Sequence, residues 1–297
     1  MVNTLVTIYL PILHVLVKLV GMRPHEVEIE PGTVIHFWVP RTHKPNKPAL
    51  VFLHGFGLNG LVTWQFQVLS LARNYAVYVP DFLFFGSSIT NKPDRSPEFQ
   101  AECMAKGLRK IGVEKCSLVG LSYGGMIGFK MAEMYPDLVR SMVVSSSVMA
   151  LTESISGDSL DRIGFSSWIL YLLPRTVNGF KQMLNIATYK LPWLPNFAYK
   201  HFFEVMFNHR KERTELLEAL ITRDKEFRIP SYSQNIHLLW GENDKIFNLE
   251  DAYNLKEQLK GKATLHYIEK AGHLVPLERP FAYNRQLNKI LALQLQV

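Results

Sequence analysis

The chain has 297 residues, 47% of them apolar and 20% charged, with a net charge of +7. This composition excludes disordered and fibrous classes and supplies the core of one large domain carrying an insertion. Its basic residues are scattered among acidic ones without a run of five or six, which argues against a nucleic-acid partner. The two cysteines, Cys103 in a helical stretch and Cys116 in an apolar run, read as reduced thiols of a cytoplasmic protein rather than a disulfide scaffold or metal site.

Residues 1–22 form the first element, an apolar helix. They have no basic leader and no small-residue cleavage site, so a secretory signal is not expected. The length would reach across a membrane, but Pro11, His14 and Lys18 interrupt it. Asn3, Thr7, Pro11, His14 and Lys18, spaced 4, 4, 3 and 4 apart, fall on one narrow helical stripe. The wide apolar remainder packs onto the protein body; peripheral membrane contact is the alternative.

From there, short apolar runs alternate with helical stretches, the pattern of a mostly parallel sheet covered on both faces. The predicted strands are Val27–Glu30, Val34–Val39, Ala49–Leu53, Ala76–Pro80, Cys116–Gly120, Ser141–Ser147, Ile236–Trp240 and Thr264–Ile268. The predicted helices include Leu61–Arg73, Pro97–Ile111, Ser122–Tyr135, Glu250–Gln258 and Phe281–Gln294. Pro31-Gly32 marks a hairpin between the first two strands. The alternation stops over 150–231, where helical pieces are broken by Pro174, Pro192 and Pro195 and aromatics are dense. That stretch reads as a helical cap inserted into a core made of 23–149 and 232–297. Most of its aromatics are expected to form the cap's own core. Phe165, Trp168, Trp193 and Phe203 are the candidates to face an apolar substrate cavity.

The strongest local motif is Gly120-Leu121-Ser122-Tyr123-Gly124. It follows an apolar run and opens a helical one, so it fits a strand–turn–helix elbow that exposes a nucleophilic serine. The Tyr123 backbone N–H starts the helix and points into the same space. In His54-Gly55-Phe56-Gly57, the loop after an early strand, the glycines allow close backbone approach and the Phe56 N–H is the second candidate oxyanion donor. A serine needs an adjacent base. Of ten histidines, His14, His25, His36 and His43 precede the sheet core, and His201 and His209 lie in the cap. His237 and His266 fall within strands, and His54 belongs to the glycine loop. His273, in a loop after the last strand, is left as general base. Asp244, in Gly241-Glu242-Asn243-Asp244, is the orienting carboxylate. Glu242 competes, but Asp244 sits further along the loop and is anchored by Ile246 and Phe247.

These motifs (H-G-x-G at 54–57, G-x-S-x-G-G at 120–125, G-x-x-D at 241–244 and Gly272-His273) resemble the α/β-hydrolase superfamily over nearly the whole chain from Val34. Val51–Gly57, Tyr78-Val79-Pro80-Asp81 and Ser122–Met126 further resemble a plant branch of capped serine hydrolases. The resemblance implies the α/β-hydrolase fold, an acyl-enzyme mechanism without cofactor, and a structural role for Asp81. Asn248 departs from the proline of many relatives and is expected to loosen the acid loop. Three functions fit: a carboxylesterase for a small or medium apolar or aromatic ester, a carbon–carbon bond hydrolase of ring-cleavage products, and a ligand receptor on the same scaffold. A ring-cleavage substrate would call for an arginine near the elbow, and none is evident. Epoxide hydrolases and haloalkane dehalogenases on this fold carry an aspartate where this chain has Ser122.

Overall fold

A computed structural model describes residues 3–42, 46–191 and 193–294. The signals assigned above to His43 and Pro192 lie outside them. Beyond Asn3 and Thr4, a π-helical turn, Leu5–Tyr9, leads into helix α1, Leu10–Leu19. Leu13 and Val17 bury one side of α1 among Trp38, Leu61 and Leu71, so the helix packs on the body as the preferred reading has it. Among the described residues no helix is long and apolar enough to cross a membrane.

Strands β1, Met22–Glu30, and β2, Thr33–Pro40, form the antiparallel hairpin that Pro31-Gly32 announced. Gly32 makes the turn at φ 78°, a conformation that a side chain disfavours. There follow β3, Ala49–Leu53; α2, Gly60–Leu71; β4, Ala76–Pro80; the short β5, Ile89–Thr90; and α3, Pro97–Lys110. Next come β6, Cys116–Leu121; α4, Tyr123–Met134; β7, Val139–Ser145; and the short β8, Leu151–Thr152. Helices α2 and α3 start where a side chain satisfies a free N–H: Asn59 accepts from Val62 N–H ahead of α2, and Ser96 from Phe99 N–H ahead of α3.

Helices α5, Glu153–Ile163; α6, Trp168–Leu172; α7, Val177–Ala187; α8, Asn196–Met206; and α9, Arg210–Leu220, make up the insertion. β9, Ile221–Thr222, pairs with β8 in parallel and closes its base. The core resumes with β10, Asn235–Gly241; α10, Leu249–Gln258; β11, Ala263–Ile268; α11, Val275–Glu278; and α12, Pro280–Gln294.

The main sheet has the order β1-β2-β4-β3-β6-β7-β10-β11, parallel from β4 through β11. Its central strands are apolar at nearly every position because helices cover both faces. Two apolar clusters fill the two sides. Cys103 and Cys116 are buried and unpaired with each other, and burial pushes both thiols up to about 12. Asn248 does not loosen its loop. Its side chain accepts from Asp251 N–H while the Asp251 carboxylate accepts from Asn248 N–H, a reciprocal cap on α10 that fixes the loop.

Candidate active site

Ser122 joins β6 to α4 with φ 53° and ψ −119°, a strained geometry for a residue with a side chain. The surroundings impose it. A Cβ on Gly124 would stand 2.2 Å from the Leu53 carbonyl oxygen, and one on Gly120 would stand 2.7 Å from that of Gly124. Only bare backbone fits between β3 and the elbow. The Ser122 N–H donates to Ser145 O at 2.9 Å, and its carbonyl accepts Ser147 Oγ–H at 2.7 Å. The backbone is thus held while the hydroxyl, with no hydrogen bond among the described residues, faces a cavity of about 390 Å³.

His273 and Asp244 meet behind that cavity. Asp244 Oδ2 lies 2.9 Å from His273 Nδ1, and both residues are buried. Asp244 Oδ1 accepts the N–H groups of Ile246 and Phe247 at 2.8 and 3.1 Å. The carboxylate is therefore held on one oxygen and left with the other for the ring. That pairing makes Nδ1 the protonated nitrogen and leaves Nε2 as an acceptor. Ser122 and His273 line the same cavity without a hydrogen bond between them, a contact that often tightens only when substrate binds. Glu242 donates its N–H to Ile268 O and stays outside the lining.

Among the described residues the Phe56 and Tyr123 N–H groups have no acceptor, and both residues line the cavity. Gly55, one residue before Phe56, is close enough to the elbow that a Cβ there would lie 3.6 Å from Ser122 Cβ. Two unpaired donors thus flank the serine. His54 fixes the loop: its Nδ1–H donates to Gly55 O at 2.8 Å and its Nε2 accepts the Phe82 N–H at 3.0 Å. Burial lowers its pKa to about 4. Asp81 accepts Gly60 N–H at 2.7 Å, pairs with His36 at 3.0 Å, and does not line the cavity.

The cavity wall is mostly apolar, with Trp168, Tyr171, Phe180, Met183, Tyr199 and Leu217 from the insertion and Tyr9 from the N-terminal segment. Of the four predicted pocket aromatics, Trp168 lines it and three do not. Phe165 turns onto Tyr171 at 5.2 Å. Phe203 packs on Phe180 and Phe207 inside the insertion. Trp193 is 87% exposed, on the outer side of a segment whose neighbours Leu191 and Leu194 face inward.

Two residues escaped the sequence reading. Glu278 accepts Gly272 and Tyr189 N–H groups on Oε2, at 2.7 and 3.0 Å, and Lys190 N–H on Oε1, at 2.8 Å. It clasps the histidine loop to the end of α7. Buried Arg213 donates to Phe84 O at 2.8 Å, to Met206 O and to Asn208 Oδ1 at 2.7 Å, with its guanidinium 4.2 Å over the Phe85 ring. Burial lowers its pKa to about 10. The one available signal was position: Glu278 follows the Gly-His pair, and Arg213 is an arginine at an inward helical position.

A strained serine between strand and helix, a histidine–aspartate pair after later strands and a helical insertion above define a hydrolase built on a parallel sheet. The family model described as alpha/beta hydrolase fold matches residues 48–182, and the chain has the α/β-hydrolase fold. It is similar to epoxide hydrolase 4 of Homo sapiens, 25% identical over 80% of this chain and 71% of that protein. It is also similar to lipase 1 of Psychrobacter immobilis, 26% identical over 77% and 72%. A third relative is 2-hydroxy-6-oxo-2,4-heptadienoate hydrolase of Pseudomonas putida, 25% identical over 83% and 89%. Among solved structures, a bacterial membrane phospholipase A superposes with a TM-score of 0.81 at 22% identity, over 98% of this chain and 93% of that one.

Proposed function

We propose that the protein is a serine hydrolase of small-to-medium apolar or aromatic carboxylic esters, working through an acyl-enzyme. The observation that carries this reading is the convergence on one cavity of Ser122, the free Nε2 edge of an Asp244-anchored His273, and two unpaired backbone donors. In the proposed reaction Ser122 Oγ attacks the ester carbonyl and His273 Nε2 takes its proton. The N–H groups of Phe56 and Tyr123 hold the oxyanion. The imidazolium, steadied by Asp244, returns the proton to the departing alcohol. Water, deprotonated by the same nitrogen, then releases the acid and regenerates Ser122.

The nucleophile decides against epoxide opening by a covalent route. Serine attack on an epoxide gives an ether, which has no carbonyl for water to attack, whereas a carboxylate nucleophile would give a hydrolysable ester. A ring-cleavage substrate would bring a carboxylate into the cavity. No arginine lines the cavity among the described residues, and its lysine, Lys190, is exposed. The apolar wall and the resemblance to a lipase favour an uncharged ester.

The test is labelling with a fluorophosphonate and mapping of the modified residue, alongside turnover of chromogenic short- and medium-chain acyl esters. Ser122 should carry the label, and Ser122→Ala should lower turnover by about 10³-fold or more. Turnover that survives in Ser122→Ala refutes the mechanism, and specific ligand binding without turnover of any ester supports a receptor instead.

A further inference from the structure

We infer that the outward face of the N-terminal helix is a docking surface for an anionic lipid bilayer, set beside the mouth of the cavity. The docking stands on surface chemistry; only the delivery of a lipid-like ester from that surface to Ser122 rests on the esterase reading.

A surface helix of an ordinary globular protein buries one apolar stripe and turns polar residues to water. This one carries two apolar faces. Leu13 and Val17 are buried. At about 100° per residue, Ile12, Val15, Leu16 and Leu19 of α1 fall together in a second face about 100° wide. These four are 42 to 76% exposed. Pro11, His14 and Lys18 form a polar stripe along the other flank of the buried face. The protein core accounts for the first apolar face and leaves the second in solvent.

The turn that leads into this helix borders the cavity. Tyr9 lines the cavity and lies 6.1 Å from the ring of Phe202, another lining residue. Thr4 Oγ1 is 2.8 Å from His201 Nδ1 on α8, and exposed Phe197 lies 5.8 Å from the same imidazole. The turn that leads into α1 thus packs against α8. In the segment leading to α8, Trp193 stands outward between two cavity-lining leucines. An outward tryptophan beside apolar side chains suits the level of lipid headgroups.

Charge selects the occupant. Lys18 on α1, Lys190 at the cavity and Lys200 on α8 are exposed, and the chain carries +7 overall. Two acids stand beside them: Glu204, 3.9 Å from Lys200, and Glu278, whose carboxylate is taken up by the N–H groups of Gly272, Tyr189 and Lys190. Cations around an apolar face repel a second copy of this chain and attract anionic headgroups.

The experiment is co-sedimentation of the full chain with vesicles of phosphatidylcholine alone and of phosphatidylcholine with phosphatidylserine. The wild type should pellet with the anionic vesicles and be released by salt. A variant carrying Ile12→Glu, Leu16→Glu and Leu19→Glu should bind at least about tenfold more weakly. Lys18→Glu with Lys200→Glu should cost about fivefold for each cation removed. None of these residues lines the cavity, so turnover of a water-soluble ester should match wild type in every variant and report that each is folded. A wild type that stays in the supernatant with anionic vesicles overturns the inference. So does a triple variant that pellets like wild type, or a wild-type dimer that the triple variant makes monomeric. Vesicle binding by a wild type that turns over no soluble ester would sink the esterase reading and leave the docking intact.

Discussion

Acidification offers a direct reading of how the glycine loop that carries Phe56 is held. His54 is fully buried, and its two ring nitrogens, one donating to Gly55 and one accepting from Phe82, are both satisfied only in the neutral form. Burial lowers its pKa from 6.5 to about 4, against the opposing pull of Asp81. The unfolded chain therefore takes up a proton near pH 6.5 while the folded chain resists to about pH 4. Across that window the unfolded state binds more protons, so stability is full at neutral pH and falls as pH falls. With these two values, the His54 contribution drops by about 2 kcal/mol between pH 7 and 5, and by about 3 kcal/mol by pH 4. The assay is urea unfolding across this range for wild type and His54→Gln, whose amide oxygen can accept the Phe82 N–H. Every other titrating group is shared, so the wild type should lose more stability than the variant by the stated amount. Equal losses would refute the claim that a neutral His54 holds the loop.

The other expectations concern the elbow, the histidine pair, the clasp and the cavity wall. Gly124→Ala places a methyl against the carbonyl oxygens of Leu53 and His54, neither of which can withdraw from a central strand end. It should cost about 3 kcal/mol in chemical unfolding. Asp244→Asn keeps an acceptor for Ile246 and Phe247 but favours the wrong imidazole tautomer; ester turnover should fall by about 10⁴-fold with little change in unfolding midpoint. Glu278→Ala strips three N–H groups of their acceptor, with a cost of about 1–3 kcal/mol at the part-buried Gly272 N–H and less at the exposed Tyr189 and Lys190, whereas Glu278→Gln keeps one acceptor oxygen. The alanine variant should therefore lose kcat much more than the glutamine variant, with KM moving less than kcat. Leu217→Trp adds bulk to the cavity wall and should shift the acyl preference toward shorter chains, read from a chain-length series of esters.

The sheet was legible because its signal is local. β3 and β4 begin and end where the apolar runs Ala49–Leu53 and Ala76–Pro80 do, since a strand buried on both faces must be apolar throughout. The elbow was legible for a related reason: its glycines are demanded by backbone contacts between neighbouring elements. The start of β1 was not. Met22–His25 contains Pro24 and a buried residue, Met22, followed by exposed Arg23 and Pro24 and half-buried His25, so no apolar alternation marks it; pairing with β2 creates the strand. The two-residue strands β8 and β9 carry no periodicity at all and exist only because the ends of the insertion meet.

The cavity wall was illegible for a deeper reason. An inward-facing aromatic in the insertion has two destinations, the insertion's own interior or the space above the sheet, and helical spacing does not separate them. Phe203 and Tyr199 lie on the same helix; one packs against Phe207 and the other lines the cavity. The choice is made by how the insertion docks, and its docking runs through the loops of the candidate site. Arg213 bonds to the Phe84 carbonyl in the segment whose Phe82 and Phe85 pack on His54. Glu278, with the bond from Leu274 N–H to Ala187 O, fastens α7 to the loop that carries His273. The histidine loop is accordingly shaped from both sides: a Cβ on Gly272 would meet the backbone of Tyr189 at 2.6 Å, and one on Gly241 would meet Gly272 O at 2.1 Å. Core and insertion share these loops, so the position of the imidazole belongs to neither segment alone. Motifs in the core name the candidate groups, while their spacing depends on insertion contacts that no motif records.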